Sequence, residues 1–194
     1  NTDGNRNMFF GNGSGFSNTS GFGNTFFGLE SGYYNVNGFR NLFLGYRSGY
    51  KNVDGSDNSF LGDMAGSSNT SGNENTFVGQ ASGASNETGR DNTFLGSNVG
   101  RGNTNGSGNV MVGRFTGYNI NGNNNTFIGT QSAANFNTGP FIASSNVCIG
   151  YASGTGLTNG FYNIFIGQQT GTNNGFANVI IGHQAGLNCS GNRN

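Results

Sequence analysis

Asn75-Thr76-Phe77-Val78-Gly79-Gln80-Ala81-Ser82-Gly83-Ala84-Ser85-Asn86-Glu87-Thr88-Gly89-Arg90-Asp91 is followed at once by Asn92-Thr93-Phe94-Leu95-Gly96, the same opening one unit later. Working outward in both directions, Asn-x-apolar-apolar-Gly begins at Asn7, Asn24, Asn41, Asn58, Asn75, Asn92, Asn109, Asn125, Asn146, Asn163 and Asn178. The first six steps are 17 residues and the later ones 16, 21, 17 and 15. A fixed period of this size is the signature of a repeat architecture, in which each unit buries its apolar face only against its neighbours. We number the columns of the unit from its opening Asn.

Composition agrees with order rather than disorder. Gly numbers 38 and only 8% of residues are charged, yet 18 Phe and 7 Tyr recur at set places. Disordered chains are poor in aromatics. Column 3 is Phe in eight copies, with Met111, Cys148 and Ile180 in the others, and column 4 is apolar in all. Such residues, bounded by Gly and Asn, read as short strands; no 3.6-residue period supports a helix. Gly fills column 5 throughout, column 9 except at Ala133, and a place near column 15 in each copy. Because Gly takes positive φ without steric cost, three Gly columns predict three corners. Column 8 is small or β-branched, from Ser14 and Ser31 to Ala185, as a packed corner requires. The Asn of columns 1 and 12 (Asn18, Asn35, Asn52, Asn69, Asn86 and Asn103 in the regular copies) predict stacked amide ladders.

The reading is an all-β fold: a thin parallel β-solenoid, or β-roll, of about eleven 17-residue coils occupying residues 1–194 as one repeat domain. With strands about 4.8 Å apart, eleven coils make a rod roughly 50 Å long. Adjacent apolar columns 3 and 4 must face opposite ways in a straight strand. We place the aromatic column outward, so that Phe9, Phe26, Phe43, Phe60, Phe77, Phe94, Phe127 and Phe165 form a candidate oligomer interface. An outward apolar stripe of that length predicts lateral association, as a trimer or another symmetric bundle; a bent strand with both columns inside is the alternative.

The unit, as in Asn75-Thr-Phe-Val-Gly-Gln-Ala-Ser-Gly, resembles the head repeats of trimeric autotransporter adhesins, and is similar to Asn/Gly-rich repeats of phage tail fibres and bacterial surface fibres. The resemblance spans the chain. It implies a trimeric β-roll, each chain coiling on itself and three packing side by side. The adhesin unit is shorter and carries small aliphatics where this chain has Phe.

Chemistry is sparse. His183 has no nucleophile or carboxylate at catalytic spacing, and Ser residues sit in the corner column. Cys148 reads as a small apolar filler of column 3, and Cys189 as free or intermolecularly paired. The carboxylates do not recur at one column, so the unit lacks the Asp ladder of calcium-binding β-rolls; Asp54 and Asp57 are the candidate pair for an adventitious ion. Gly11-Asn-Gly-Ser-Gly15 lacks the Lys-Ser/Thr ending of a phosphate loop. These features predict no enzyme, no cofactor and no metal. Zero net charge without a basic stripe argues against a nucleic-acid partner, and no apolar run reaches the roughly 20 residues a membrane span needs. Sequons occur at Asn12, Asn18, Asn69, Asn86, Asn105 and Asn188 and mark possible glycosylation sites.

Asn1–Asn7 matches Asn188–Asn194 at five of seven positions, so coils are expected to continue past both ends, along a longer polypeptide or by end-to-end stacking. Self-association, lateral or end-to-end, is therefore the expected partnership. The leading functional expectation is a structural shaft of an extracellular, cell-surface or virion fibre. A glycan- or cell-binding adhesin follows, with recognition placed in the irregular stretch Asn119–Asn146 that inserts Gly139-Pro-Phe-Ile-Ala. Ice binding is third, because column 2 breaks the required Thr ladder at Met8, Leu42, Val110, Val147, Ile164 and Val179.

Overall fold

A computed structural model describes residues 4–136, 141–171 and 175–187. Columns 2–4 of every unit form a three-residue strand: β1 (Met8–Phe10), β2 (Thr25–Phe27), β3 (Leu42–Leu44), β4 (Ser59–Leu61), β5 (Thr76–Val78), β6 (Thr93–Leu95), β7 (Val110–Val112), β8 (Thr126–Ile128), β9 (Val147–Ile149), β10 (Ile164–Ile166) and β11 (Val179–Ile181). They pair in parallel, in sequence order, as one eleven-stranded sheet. Register is strict, with column 2 on column 2 and Phe60 opposite Phe77. The chain is a parallel β-solenoid with about 17 residues per turn.

The strand fixes which column is inside, and it corrects the outward placement of Phe. Phe26, Phe43, Phe60, Phe77, Phe94 and Phe127 are fully buried, Phe165 is nearly so, and Phe9 is half-buried on the first coil. From Phe9 to Phe94 the rings stack one per coil, centroids 4.8 to 5.0 Å apart and planes within 12°. Seven of these side chains belong to the buried core, with Phe9 packed against its end, and they do not form the outer face. Columns 2 and 4 share the opposite face. Neither does the strand bend to bury columns 3 and 4 together, since Phe27, Leu44, Leu95 and Ile128 in column 4 are exposed.

Two Gly columns make room for that core. A Cβ on Gly66 would lie 2.4 Å from the Phe60 ring, at a φ of +57°. Column 15 works differently: Gly72 keeps an ordinary φ, but a Cβ there would meet Asn69 Oδ1 and the Gly89 carbonyl at 2.3 Å. The third Gly column is therefore a close approach and not a left-handed corner. Left-handed backbone occurs instead at columns 7 and 17, in non-Gly residues such as Met64 (φ 56°) and Asp57 (φ 59°).

Amide ladders flank the Phe stack. In column 1 the Asn side chains bond two backbone groups and the Asn of the preceding coil at once. Asn75 Nδ2 donates to the Gly89 carbonyl at 2.8 Å and to Asn58 Oδ1 at 3.1 Å, while Asn75 Oδ1 accepts from the Asn92 backbone N–H at 3.1 Å. The ladder runs unbroken from Asn7 to Asn178. In column 12, Asn35 Nδ2 donates to Asn18 Oδ1 at 2.7 Å and the pattern repeats to Asn103. There column 12 turns apolar, to Ile120 and later Leu157, and the buried Asn103 Oδ1 has no hydrogen-bond partner. The Phe stack is interrupted at the same level by Met111. Column 8 completes the interior, with Ser31, Ser48 and Ser82 Oγ donating to the Phe carbonyl of the next coil at 3.0 to 3.2 Å.

Candidate interaction surfaces

Since the interior is closed by Phe and amides, the coil surface holds whatever recognition this rod performs. Three faces differ in chemistry. The first is the outer side of the sheet. Column 2 contributes Thr25, Ser59, Thr76, Thr93 and Thr126 among apolar residues, and column 4 contributes Phe10, Phe27, Leu44, Leu61, Val78, Leu95, Val112, Ile128, Ile149, Ile166 and Ile181. Column 4 is thus an uninterrupted apolar ladder, exposed or half-buried along its length. The broken column 2 stays as the sequence had it, with six non-hydroxyl residues among eleven.

A second face comprises columns 6, 7, 10 and 11. It carries two aromatic clusters. Phe16 stacks on Tyr33 at 5.0 Å, and Tyr34 meets Tyr33 and Tyr50 edge-on at 4.8 and 5.1 Å. The hydroxyl link between Tyr34 and Tyr50 is the main cause that holds Tyr50 protonated above the usual phenol range. Arg47 lies over both Tyr46 and Tyr50 and is ion-paired with Glu30, whose hydrogen bond strengthens its hold on its proton. Higher up the rod, Phe115, Tyr118 and Phe136 form the second cluster, with Arg101 Nη1 donating to Tyr118 Oη at 2.8 Å and Arg114 over Phe115 at 4.3 Å.

The third face is an open groove of about 310 Å³ along columns 14, 16 and 17. Its lining runs from Phe39 to Arg90 and includes Asp57, Glu74 and Asp91. Those three carboxylates all occupy column 17 of consecutive coils, which corrects the expectation that acids share no column. Asp57 is ion-paired with Arg40 at 2.8 Å, and Asp54 accepts from Asn37 Nδ2 at 2.8 Å, so that pair is engaged within the protein. Among the described residues no three His, Cys, Asp or Glu side chains are grouped to hold a metal ion.

The sequons divide. Asn12 and Asn105 are exposed. Asn18, Asn69 and Asn86 are buried in the column 12 ladder with Nδ2 hydrogen-bonded to a Gly carbonyl. A glycan on those three has no room in this fold, because the linkage uses the same nitrogen. Asn188 and Cys189 lie outside the described residues, as does Asn137–Pro140 of the inserted coil. The described part of that insertion rejoins the stack through a parallel bridge between Ile120 and Phe141. His183 is exposed near the last described turn.

Cys148 is fully buried and burial alone pushes its thiol far above the usual range. Thiolate is the reactive form. Iodoacetamide is therefore expected to leave Cys148 unmodified in the folded rod and to label it on unfolding, read by peptide mass spectrometry. Labelling in the native state would overturn its place in column 3.

No described helix is long and apolar enough to cross a membrane. No known family, curated protein or solved structure matches this chain.

Proposed function

We propose that the chain is a structural shaft segment of an extracellular, cell-surface or virion fibre, without enzymatic activity, whose rods pack laterally through the outer face of the sheet. The observation that carries this reading is the continuous column 4 ladder beside a half-apolar column 2. Eleven strands about 4.8 Å apart and three residues long make a face of roughly 50 by 10 Å, about 500 Å². Soluble monomers rarely expose contiguous apolar patches beyond a few hundred Å². Two such faces together bury about 1,000 Å², the lower bound for a specific interface. The trimer implied by the likeness to adhesin head repeats is one arrangement of this kind, with the interface moved from column 3 to columns 2 and 4.

The test is sedimentation velocity and negative-stain microscopy of wild type beside Leu44→Glu/Leu95→Glu/Ile128→Glu. Wild type is expected to form side-by-side bundles, and the variant single rods with unchanged circular dichroism. Wild-type rods that stay single at micromolar concentration would sink the lateral interface.

A further inference from the structure

Column 10 reads Tyr33, Tyr50, Ser67, Ala84, Arg101, Tyr118 on successive coils. Aromatic rings thus stand at both ends of a three-coil gap, floored by the small Ser67 and Ala84 and bridged at its far end by Arg101. In register, four coil steps at about 4.8 Å set Tyr118 roughly 19 Å along the rod from Tyr50. Cations accompany the rings at both ends. Arg47 and Lys51 stand beside Tyr50, and Arg101 and Arg114 beside Tyr118 and Phe115. Among the described residues, Lys51, Arg101 and Arg114 have no carboxylate at ion-pair distance, the ion pairs being Arg40–Asp57 and Arg47–Glu30. Across columns 6, 7, 10 and 11 the formal charge is four cations against Glu30 and Asp63, or +2, although the chain as a whole is neutral.

We propose that this edge binds an extended acidic polysaccharide, its sugar faces laid on the Tyr50 and Tyr118 clusters and its carboxylates against Lys51, Arg101 and Arg114. Tyr and Phe rings offer flat apolar faces with a polar rim, matching the apolar face and hydroxyl rim of a pyranose. The separated cations match charges spaced along a polyuronate. They are too few for a nucleic-acid strand, whose phosphates demand a continuous basic track. A second copy of the chain is disfavoured here because two like edges would bring positive charge together. The site is independent of the lateral interface, which lies on columns 2 and 4, so either reading stands or falls without the other.

Affinity electrophoresis of the full chain through gels containing polygalacturonate, dextran or poly(dT) tests this. Retardation is expected in polygalacturonate alone. Arg101→Gln, an exposed substitution with little to disturb the fold, is expected to weaken it about tenfold, as is Tyr118→Ala. Tyr162→Ala, at an exposed ring in column 17, should leave it unchanged. No retardation by polygalacturonate, equal retardation by dextran, or binding confined to poly(dT) would each overturn the proposal. So would retardation that Arg101→Gln and Tyr118→Ala both leave intact while circular dichroism shows the fold preserved.

Discussion

Phe77→Ala is expected to destabilise the rod by about 3–5 kcal/mol, while Val78→Ala, one residue on, costs less than about 1 kcal/mol. The Phe77 ring is sandwiched between Phe60 and Phe94 with both centroid distances 4.8 Å. Gly83, whose missing Cβ gives the ring its space, contributes nothing to fill a void there. The neighbours cannot close in, because their spacing is fixed by the parallel ladder on either side. Removal therefore forfeits transfer energy and leaves a cavity. Val78 points outward and half-buried, so its truncation removes little apolar surface from a dry environment. Urea melts followed by hydrogen exchange suit the comparison, because coil contacts are nearest-neighbour and unfolding need not be all-or-none. Equal costs at the two positions would refute the division into inner and outer faces.

That division is the part of the fold the sequence leaves hardest to see. Period, strand placement, parallel order and both amide ladders follow from column identity alone, since a 17-residue unit with one short strand has few ways to stack. Inside and outside do not, because columns 3 and 4 are both apolar and a strand alternates without stating which side is wet. The discriminating signal lies two residues apart. Column 2 holds Thr25, Ser59, Thr76 and Thr93, and it must share a face with column 4. A face bearing those hydroxyls is the solvent side, so column 3 turns inward. Gly in column 9, six residues after every column 3 Phe but Phe127, carries the same message: its absent Cβ is where the ring sits. The shared column of Tyr50 and Tyr118 is likewise in the spacing, four units apart, but the ring and cation contacts that make clusters of them, from Tyr34 on Tyr50 to Phe136 and Arg101 on Tyr118, appear only in the folded coil. The acidic wall of Asp57, Glu74 and Asp91 was present in the 17-residue spacing and is visible once column 17 is read downward.

The column 1 ladder explains why a coil so rich in buried polar groups is stable at all, and Asn75 tests it most sharply. Asn75→Ala removes the acceptor of the Asn92 N–H and of Asn92 Nδ2, and the donor to the Gly89 carbonyl. Orphaning the buried Asn92 N–H costs about 1–3 kcal/mol. Asn92 Nδ2 keeps the Gly106 carbonyl and the Gly89 carbonyl keeps Asn86 Nδ2, so those two lost hydrogen bonds cost about 0.5–1.5 kcal/mol each, and a total of roughly 2–6 kcal/mol is expected. Asn75→Asp separates donation from shape. Its first oxygen still accepts from Asn92, but the second faces Asn58 Oδ1 and the Gly89 carbonyl, both acceptors. Only a protonated carboxyl has a hydrogen to give, and it serves one of the two, so burial and the two oxygens push its folded pKa above the unfolded value of about 3.9. A raised folded pKa gives stability that is fully present below the unfolded pKa and is lost as pH rises through the folded one. Relative to wild type at each pH, the aspartate variant is therefore expected to melt near normal at pH 3 and far lower at pH 7. A difference from wild type that stays constant across that range would mean the amide N–H donation is dispensable, and the ladder would then be a matter of shape rather than of hydrogen bonding.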